Sequence, residues 1–228
     1  PPSEVTTMAA RLRSAKSASA RAALSRSISP VKQRVVPATR MSDAAAQYVS
    51  RAGLKLAAAL QAFKLDVRDW VCTDFGSHVG GFVDCLLQHG AAKVYAVEPG
   101  YGVLDYRLRR DPRVVTCERT NALHYVCPEP CALVTIDVGW TPQRLILPAA
   151  RRCLQPGTGC VVTLIKPQYE APSEWLYAGV LPPERQDDTL ATCRADIRGL
   201  GWEIAGELES PLRGQGGNTE YLWWLRGA

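Results

Sequence analysis

Apolar runs alternate with amphipathic segments over most of the chain. The apolar runs predict strands, and the segments between them have the apolar spacing of helices. The predicted strands span 70–75, 93–98, 113–118, 132–137, 160–166, 202–207 and 220–226. The predicted helices span 42–63, with Ser42 as its cap, and 81–89, 103–109, 142–154 and 183–200. Strands and helices that alternate in this way favour an α/β fold with a mostly parallel, doubly wound sheet.

The first forty residues differ from the rest of the chain in composition. They hold +7 of charge, so the formal net charge of +5 leaves −2 for the remainder. They have no continuous apolar face, and such a segment buries too little surface to order itself. We therefore expect a disordered basic segment over 1–40 and one folded domain over 41–228. Three interpretations of the segment stay open: an arm that adheres to RNA, an organellar transit peptide, or an extension from a start codon placed too early.

Two classes of protein are disfavoured by the pattern. A membrane helix needs about 18 to 20 apolar residues, and no run in this chain approaches that length, so no integral membrane role is expected. The eight cysteines are scattered without a C-x-x-C pair, and only three histidines accompany them. We therefore expect reduced, buried thiols and no metal. A metal or disulfide at the closest pair, Cys127 and Cys131, is the alternative.

A glycine-rich stretch, D-F-G-S-H-V-G-G-F at 74–82, follows the first strand. Its glycines allow a sharp turn and a close approach to a ligand, and ligands of open α/β sheets bind at the carboxyl ends of strands. Glu98 ends the next strand and could accept both ribose hydroxyls of an adenosine group. The spacing is neither G-x-G-x-x-G nor a phosphate loop. It favours an S-adenosylmethionine loop, with a plain strand-to-helix turn as the alternative.

Lys166 is the most informative single residue. The run V-V-T-L-I leads directly into it, and Pro167 then breaks the strand. Methylating a ribose hydroxyl requires a base, and a lysine can act as one only when a second cation and partial burial lower its pKa. Lys55 could supply that cation, while Asp137 and Glu220 could orient the amines. Taken alone, these three fit a solvated helix face, a turn cap and an edge-strand charge.

Six ordered motifs over residues 45–228 resemble the FtsJ-like methyltransferases, and most closely their TlyA branch of haemolysins and ribosomal RNA methyltransferases. The motifs are S-R-A-G-L-K-L at 50–56, D-F-G-S-H-V-G-G-F-V-D at 74–84, R-T-N-A at 119–122, T-I-D-V at 135–138, L-I-K-P-Q-Y-E at 164–170 and G-N-T-E-Y-L at 217–222. Two features depart from that branch. Residues 1–40 are too short and polar for its usual S4 RNA-binding domain, and V-G-W-T-P follows Asp137 in place of V-S-F.

The resemblance implies a Rossmann-like class I methyltransferase whose last strand runs antiparallel. It carries the family's catalytic tetrad onto Lys55, Asp137, Lys166 and Glu220. Lys166 would be the base, Asp137 would orient it, Lys55 would lower its pKa, and Glu220 would position both lysines. Contacts with S-adenosylmethionine fall on Asp74, Gly76, Ser77, His78, Gly80, Gly81, Phe82, Glu98, Asn121 and Asp137.

An RNA substrate requires a surface that attracts phosphate and unpaired bases. The predicted patch is Y-R-L-R-R-D-P-R at 106–113, with Arg119, Arg51 and Arg213. Trp140 or Tyr169 could stack an unpaired base. A solvated helix face is the alternative for the arginine cluster.

These features predict an S-adenosylmethionine-dependent RNA 2′-O-ribose methyltransferase that acts on ribosomal RNA or a ribosomal particle. A methyltransferase for a base, a protein or a small molecule is the first alternative. A non-catalytic ribosome-binding or membrane-active protein is the second. We expect a cytoplasmic protein, or an organellar matrix protein if 1–40 is a transit peptide. The oligomeric state stays open, with a monomer favoured.

Overall fold

A computed structural model describes residues 47–227 of the chain. The predictions for 1–40 and for the Ser42 cap lie outside these residues. The helices span Ala52–Phe63 (α1), Gly81–Gln88 (α2), Tyr106–Arg109 (α3), Gln143–Cys153 (α4), Pro167–Glu170 (α5) and Pro183–Gly199 (α6), with short 3₁₀ turns at Ala122–His124 and Ser173–Trp175. The strands span Val71–Phe75 (β1), Lys93–Val97 (β2), Val114–Cys117 (β3), Leu133–Ile136 (β4), Cys160–Ile165 (β5), Trp202–Glu209 (β6) and Tyr221–Gly227 (β7).

Every predicted strand is present within two residues of its predicted bounds, but the first helix starts later than predicted. Residues 47–51 form turns and bends, so α1 begins at Ala52. The Val49 N–H donates to the Asp84 carboxylate of α2 at 2.8 Å, and the ring of Tyr48 lies directly on Gly53. These contacts place residues 47–51 across the N-terminus of α1. A helix that continued through these residues could not make them.

The strands form one sheet in the order β3-β2-β1-β4-β5-β7-β6. Strands β1 to β5 pair in parallel, and β7 runs antiparallel to both β5 and β6. This confirms the predicted α/β class and the antiparallel last strand. The strand order reverses between β1 and β4, and open sheets of this kind bind ligands at the carboxyl ends of the strands beside such a reversal.

Two apolar cores lie on the two faces of the sheet. One contains Cys72, Val162 and Leu222 from the strands together with side chains of α1, α2 and α3. The other contains Phe75 and Ile165 together with side chains of α4 and α6. Because strand side chains alternate between faces, this division shows to which face each residue at a strand end belongs.

The ionisable residues at the strand ends all share the face covered by α1. Asp74, Glu98 and Lys166 each come two positions after a residue of that core, namely Cys72, Ala96 and Leu164. Asp137 comes four positions after Leu133 of the same core, and Glu220 comes two positions before Leu222. Since β7 runs antiparallel, its start lies at the sheet edge where β4 and β5 end. Alternation therefore directs these side chains into one crevice.

No helix within residues 47–227 is long and apolar enough to cross a membrane.

Candidate active site

The four residues predicted to be catalytic form two ion pairs. Lys166 Nζ lies 2.6 Å from Asp137 Oδ1, and it also donates to the Val138 carbonyl at 3.2 Å. Lys55 Nζ donates to Glu220 Oε2 at 2.5 Å. Each lysine therefore has a carboxylate that fixes its position, as expected for a preorganised site.

The register of β5 and β7 relates the two pairs. Ile165 of β5 is paired with Tyr221 of β7. In an antiparallel ladder the next positions, Lys166 and Glu220, stand opposite each other at the edge of the sheet. Lys166 is thus flanked by Asp137 beyond β4 on one side and by Glu220 before β7 on the other.

Lys55 and Glu220 are buried, which the single-residue alternatives did not anticipate. Lys55 is 7% exposed and Glu220 is 4% exposed, so Lys55 is not on a solvated helix face. Strand β7 lies between β5 and β6, so Glu220 is not an edge-strand charge. A buried ion pair depends on both partners, because loss of one leaves a charge without compensation, at a cost of about 3–5 kcal/mol.

Gly76 allows the cofactor loop to pass close to the end of β4. Its φ is +81°, and a Cβ at this position would lie 2.6 Å from the Asp137 carbonyl oxygen. A side chain here would strain the backbone and displace Asp137. The glycine is therefore required by the same crevice that holds the Lys166–Asp137 pair.

Glu98 binds one backbone amide of the predicted cofactor loop, 74–82, and one of the turn that follows β2. Its carboxylate accepts a hydrogen bond from the His78 N–H at 2.9 Å and one from the Gly100 N–H at 2.9 Å. An ionised carboxylate has about four lone-pair sites, so Glu98 retains acceptor capacity for the hydroxyls of a ribose. Its location agrees with the predicted role toward an adenosine group, which stays a prediction.

Asp74 and Ser77 offer buried polar atoms to a ligand. Asp74 Oδ1 accepts from the Thr135 hydroxyl at 2.7 Å, whereas Asp74 Oδ2 and Ser77 Oγ have no hydrogen-bond partner among the described residues. Burial raises the pKa of Asp74 to about 7. A buried polar atom without a hydrogen-bond partner is destabilising unless a ligand binds it. A methyl donor that carries an ammonium group and hydroxyl groups could provide the missing hydrogen bonds.

The remaining predicted cofactor residues have varied environments. His78 is exposed with φ +47°, and Gly80 and Gly81 lie at the start of α2, which begins at Gly81. The Phe82 side chain is 2% exposed and packs in the core, so only its backbone could reach a ligand. Asn121 is exposed and caps the turn at 122–124, since its Oδ1 accepts from the Leu123 N–H at 2.9 Å.

Two residues that contribute to the candidate site, Thr135 and Glu170, were not predicted from the sequence. Thr135 lies in T-I-D-V two positions before Asp137, and strand alternation alone could have indicated its location on the crevice face. Glu170 ends the motif L-I-K-P-Q-Y-E and accepts from the Gln143 N–H at the start of α4 at 3.0 Å. No spacing rule predicts that contact, because it joins two helices through the fold.

The predicted arginine patch is only partly available to a ligand. Three of its arginines are paired with nearby acids: Arg107 with Asp105, Arg109 with Glu118 and Arg113 with Asp111. The guanidinium of Arg110 lies over the Tyr106 ring, and that of Arg119 lies over the Tyr101 ring, 5.6 and 4.4 Å from the ring centroids. The patch is therefore less positive than its sequence indicates.

Two aromatic rings lie beside the Lys166 pair. Trp140 is 85% exposed, and its φ of +60° places it in the left-handed region. Its ring centroid is 4.8 Å from that of Tyr169, and Lys166 Nζ is 5.8 Å from the Tyr169 centroid. The exposed Trp140 ring, packed against the half-buried Tyr169, offers a surface on which a planar ligand can stack.

Comparison with known proteins gives a consistent result. The FtsJ-like methyltransferase family matches residues 48–227. YqxC of Bacillus subtilis, named as a candidate rRNA methyltransferase, is 42% identical over 186 residues, which cover 78% of this chain and 66% of YqxC. TlyA of Mycobacterium tuberculosis, named as a 16S/23S rRNA (cytidine-2′-O)-methyltransferase, is 39% identical over 208 residues, which cover 84% of this chain and 76% of TlyA.

A solved structure agrees with these relatives. The crystal structure of a candidate hemolysin from Lactococcus lactis matches with a TM-score of 0.75 at 37% identity, over 78% of this chain and 88% of that one. The chain spans slightly less than two thirds of YqxC and about three quarters of TlyA. The family match covers the sheet and its crevice, and it confirms S-adenosylmethionine as the cofactor. The chain belongs to the FtsJ-like methyltransferase family.

Proposed function

We propose that this protein methylates the 2′-hydroxyl of a nucleotide in ribosomal RNA, with Lys166 as the base. The observation that carries the proposal is the Lys166–Asp137 ion pair of 2.6 Å at the ends of β4 and β5. Beside it, the buried Lys55–Glu220 pair supplies a second cation and a second carboxylate. This set of groups suits an alcohol, because a ribose hydroxyl is a weak acid that must lose its proton as it reacts.

The residues around the crevice would divide the binding of the cofactor. Glu98 would accept the ribose hydroxyls, while Asp74 Oδ2 and Ser77 Oγ would bind polar groups of the methionine part. S-adenosylmethionine supplies an electrophilic methyl carbon on a positively charged sulfur. Asp74, whose pKa burial raises to about 7, would ionise more readily beside that positive charge.

The chemical step follows from the location of Lys166. In its uncharged form Lys166 Nζ accepts the proton of the 2′-hydroxyl while the ribose oxygen attacks the methyl carbon. S-adenosylmethionine would supply the methyl group with its sulfur as the leaving group, and Lys166 would hold the proton that the 2′-hydroxyl loses. Asp137 and the Val138 carbonyl hold Nζ in place during the transfer. The rate gain comes mainly from orientation of the reactants.

Recognition of the target nucleotide would use the aromatic pair Trp140 and Tyr169. Enzymes that act on one nucleotide hold it outside the base stack, often against an aromatic side chain. A base stacked on the exposed Trp140 ring would bring its ribose toward Lys166, because Tyr169 bridges the two. The departure V-G-W-T-P thus keeps an aromatic ring at the mouth of the crevice.

Ribosomal RNA is the proposed substrate because of the relatives. TlyA of M. tuberculosis is named for 2′-O-methylation of cytidine in 16S and 23S rRNA, and its match covers 84% of this chain. A ribosomal substrate, free or in a particle, would place the enzyme in the cytoplasm.

Transfer of a tritiated methyl group from S-adenosylmethionine to ribosomal RNA tests this function. We expect labelled RNA with the wild-type protein and a loss of at least about 100-fold with Lys166→Ala, as is typical for removal of a general base. Lys93→Ala is the matched control, because Lys93 is also paired with a carboxylate but lies at the start of β2. Full activity in Lys166→Ala, or equal labelling of a 2′-deoxy substrate, would refute the proposal.

A further inference from the structure

Three thiols cluster at the end of the sheet opposite the crevice. The segment 127–131, C-P-E-P-C, leads into the start of β4, whereas the crevice lies at the end of that strand. Cys127 Sγ lies 3.3 Å from Cys131 Sγ, and Cys153 at the end of α4 is the third thiol. The Thr73 hydroxyl lies 3.4 Å from the first sulfur and 3.0 Å from the second. Methyl transfer uses none of these groups.

The hydrogen bonds around the cluster favour a thiolate on Cys127. The Cys131 thiol, then the Cys153 thiol, and to a lesser degree the Thr73 hydroxyl and the Glu129 N–H, donate to Cys127 and lower its pKa. The same interactions, together with burial, raise the pKa of Cys131 and of Cys153. Among the three thiols, these interactions therefore favour Cys127 as the one that ionises.

Exposure distinguishes Cys127 from its two neighbours. Cys127 is partly exposed, whereas Cys131 and Cys153 are buried. A low-pKa thiolate that solvent can reach, beside a second thiol, is the arrangement found in cysteines that react with oxidants. Cys117 is also partly exposed, but burial of its thiol raises its pKa.

Formation of a disulfide requires the two sulfurs to approach further. A disulfide requires an S–S distance of about 2.05 Å, so one sulfur must move. Cys131 is fixed, because its N–H donates to the Cys153 carbonyl at 2.7 Å and its carbonyl accepts from the Gln155 N–H at 2.8 Å. The movement must therefore come from Cys127, which lies between the exposed residues Val126 and Pro128 and packs only partly against the core.

We propose that Cys127 and Cys131 form an oxidant-reactive pair that hydroperoxides convert into a disulfide. The Cys127 thiolate attacks one oxygen of the peroxide, the O–O bond breaks, and the products are a sulfenic acid and hydroxide. The Cys131 sulfur then attacks the sulfenic sulfur as its proton leaves with the displaced hydroxyl, which yields water and the S–S bond. Overall two thiols lose two electrons and the peroxide is reduced. The disulfide protects Cys127 from irreversible oxidation to the sulfinic acid.

The tryptic peptides of this chain make the test sharp. Cys127 and Cys131 are the only cysteines of peptide 120–144, Cys117 lies in peptide 114–119, and Cys153 lies in a later peptide. The full-length protein is treated with one equivalent of hydrogen peroxide, blocked with N-ethylmaleimide, digested without reduction and examined by mass spectrometry. We expect peptide 120–144 to lose two hydrogens and carry no maleimide, and dithiothreitol to reverse this change.

Three outcomes would overturn the proposal. They are peroxide-treated peptide 120–144 with two maleimides, a cross-link between this peptide and the peptide of Cys153, and iodoacetamide labelling of Cys117 as fast as that of Cys127. At pH 6 we expect Cys127 to label at least about tenfold faster than Cys117, because only the thiolate reacts. This measurement needs no variant. Cys131→Ser should in addition accumulate a dimedone-reactive sulfenic acid on Cys127, while Cys117→Ser should behave as the wild type.

Discussion

Lys55 of α1 and Glu220 before β7 form an ion pair although they are 165 residues apart in the sequence. Lys55 and Glu220 are buried and joined at 2.5 Å. Desolvation of the two charges offsets much of their attraction, so the pair contributes little net stability, whereas either charge alone would be strongly destabilising. Such an arrangement is retained for chemistry more readily than for stability, in agreement with the proposed role of the pair beside Lys166.

The first prediction concerns this pair. Lys55→Met and Glu220→Met should each lower the free energy of unfolding by about 3–5 kcal/mol, and the double variant should lower it less than either single change. Urea unfolding measures all three variants. The control is the same cycle on Lys93 and Glu129, a pair that is about 40% exposed on each side and should be worth about 1 kcal/mol or less. Additive losses at Lys55 and Glu220 would contradict the prediction.

Asp74 is another residue of the crevice whose burial lowers the stability of the fold. Burial raises its pKa to about 7 from 3.8, so between these values the folded protein binds a proton that the unfolded chain has lost. Stability therefore falls as the pH rises through this window. A change of about three pKa units corresponds to at most about 4 kcal/mol.

Asp74→Asn should remove this pH dependence. At pH 8 the free energy of unfolding of the variant, measured with urea, should exceed that of the wild type by at most about 4 kcal/mol. This difference should shrink toward zero at pH 4. Its affinity for S-adenosylmethionine, measured by calorimetry, should be lower, because a carboxylate that faces a cation is lost. A constant difference between pH 4 and pH 8 would show that the buried charge is not its cause.

At the scale of elements, α5 and α4 are tied together by Glu170. Burial raises the pKa of this carboxyl to about 7, and it accepts from the first amide of α4, on Gln143. The Gln143 side chain in turn accepts from Thr163 of β5 at 2.8 Å. Lys166 lies between Thr163 and Glu170 in sequence, so this circuit fixes the base from both sides.

Glu170→Ala should therefore slow methyl transfer more than it weakens donor binding. We expect kcat to fall about tenfold, with the dissociation constant of S-adenosylmethionine within about twofold of the wild type, because a misplaced base costs rate by orientation. Glu170→Gln keeps an acceptor oxygen and should restore most of the rate. Glu174→Ala, in the exposed turn that follows, is the control. Equal losses of rate and donor affinity would indicate general damage to the fold instead.

Most elements were predictable from the sequence, but the short helix α5, the start of α1 and the contacts between elements were not. Strand bounds followed from short apolar runs, because β1, β2, β4 and β5 are buried almost throughout. The burial of Lys55 was not predictable from helical spacing alone, since it depends on β7 entering between β5 and β6. The neutralised arginines could have been foreseen in part, because Asp105 and Asp111 each stand two residues before the arginine they bind.

At the scale of the whole molecule, positive charge is unevenly distributed. Residues 41–228 carry a formal charge of −2, and three of the seven arginines of the predicted patch are paired with acids. Within residues 41–228, the patch can attract RNA phosphates mainly through its arginines that are not paired with a carboxylate. Arg51, Arg110, Arg119 and Arg213 of the patch have no carboxylate partner among the described residues, and Arg110 and Arg119 lie over exposed tyrosines.

RNA affinity should therefore depend on these arginines and not on their paired neighbours. Arg119→Ala and Arg110→Ala should each weaken binding of a ribosomal RNA fragment and reduce the slope of log affinity against log salt by about 1. Arg107→Ala is the matched control, because Arg107 lies in α3 close to Arg110 but is bound to Asp105. Fluorescence anisotropy at several salt concentrations measures both quantities. If Arg107→Ala reduced the slope as much as Arg119→Ala, the ion pairs would open on binding, and RNA would lie along the whole of α3.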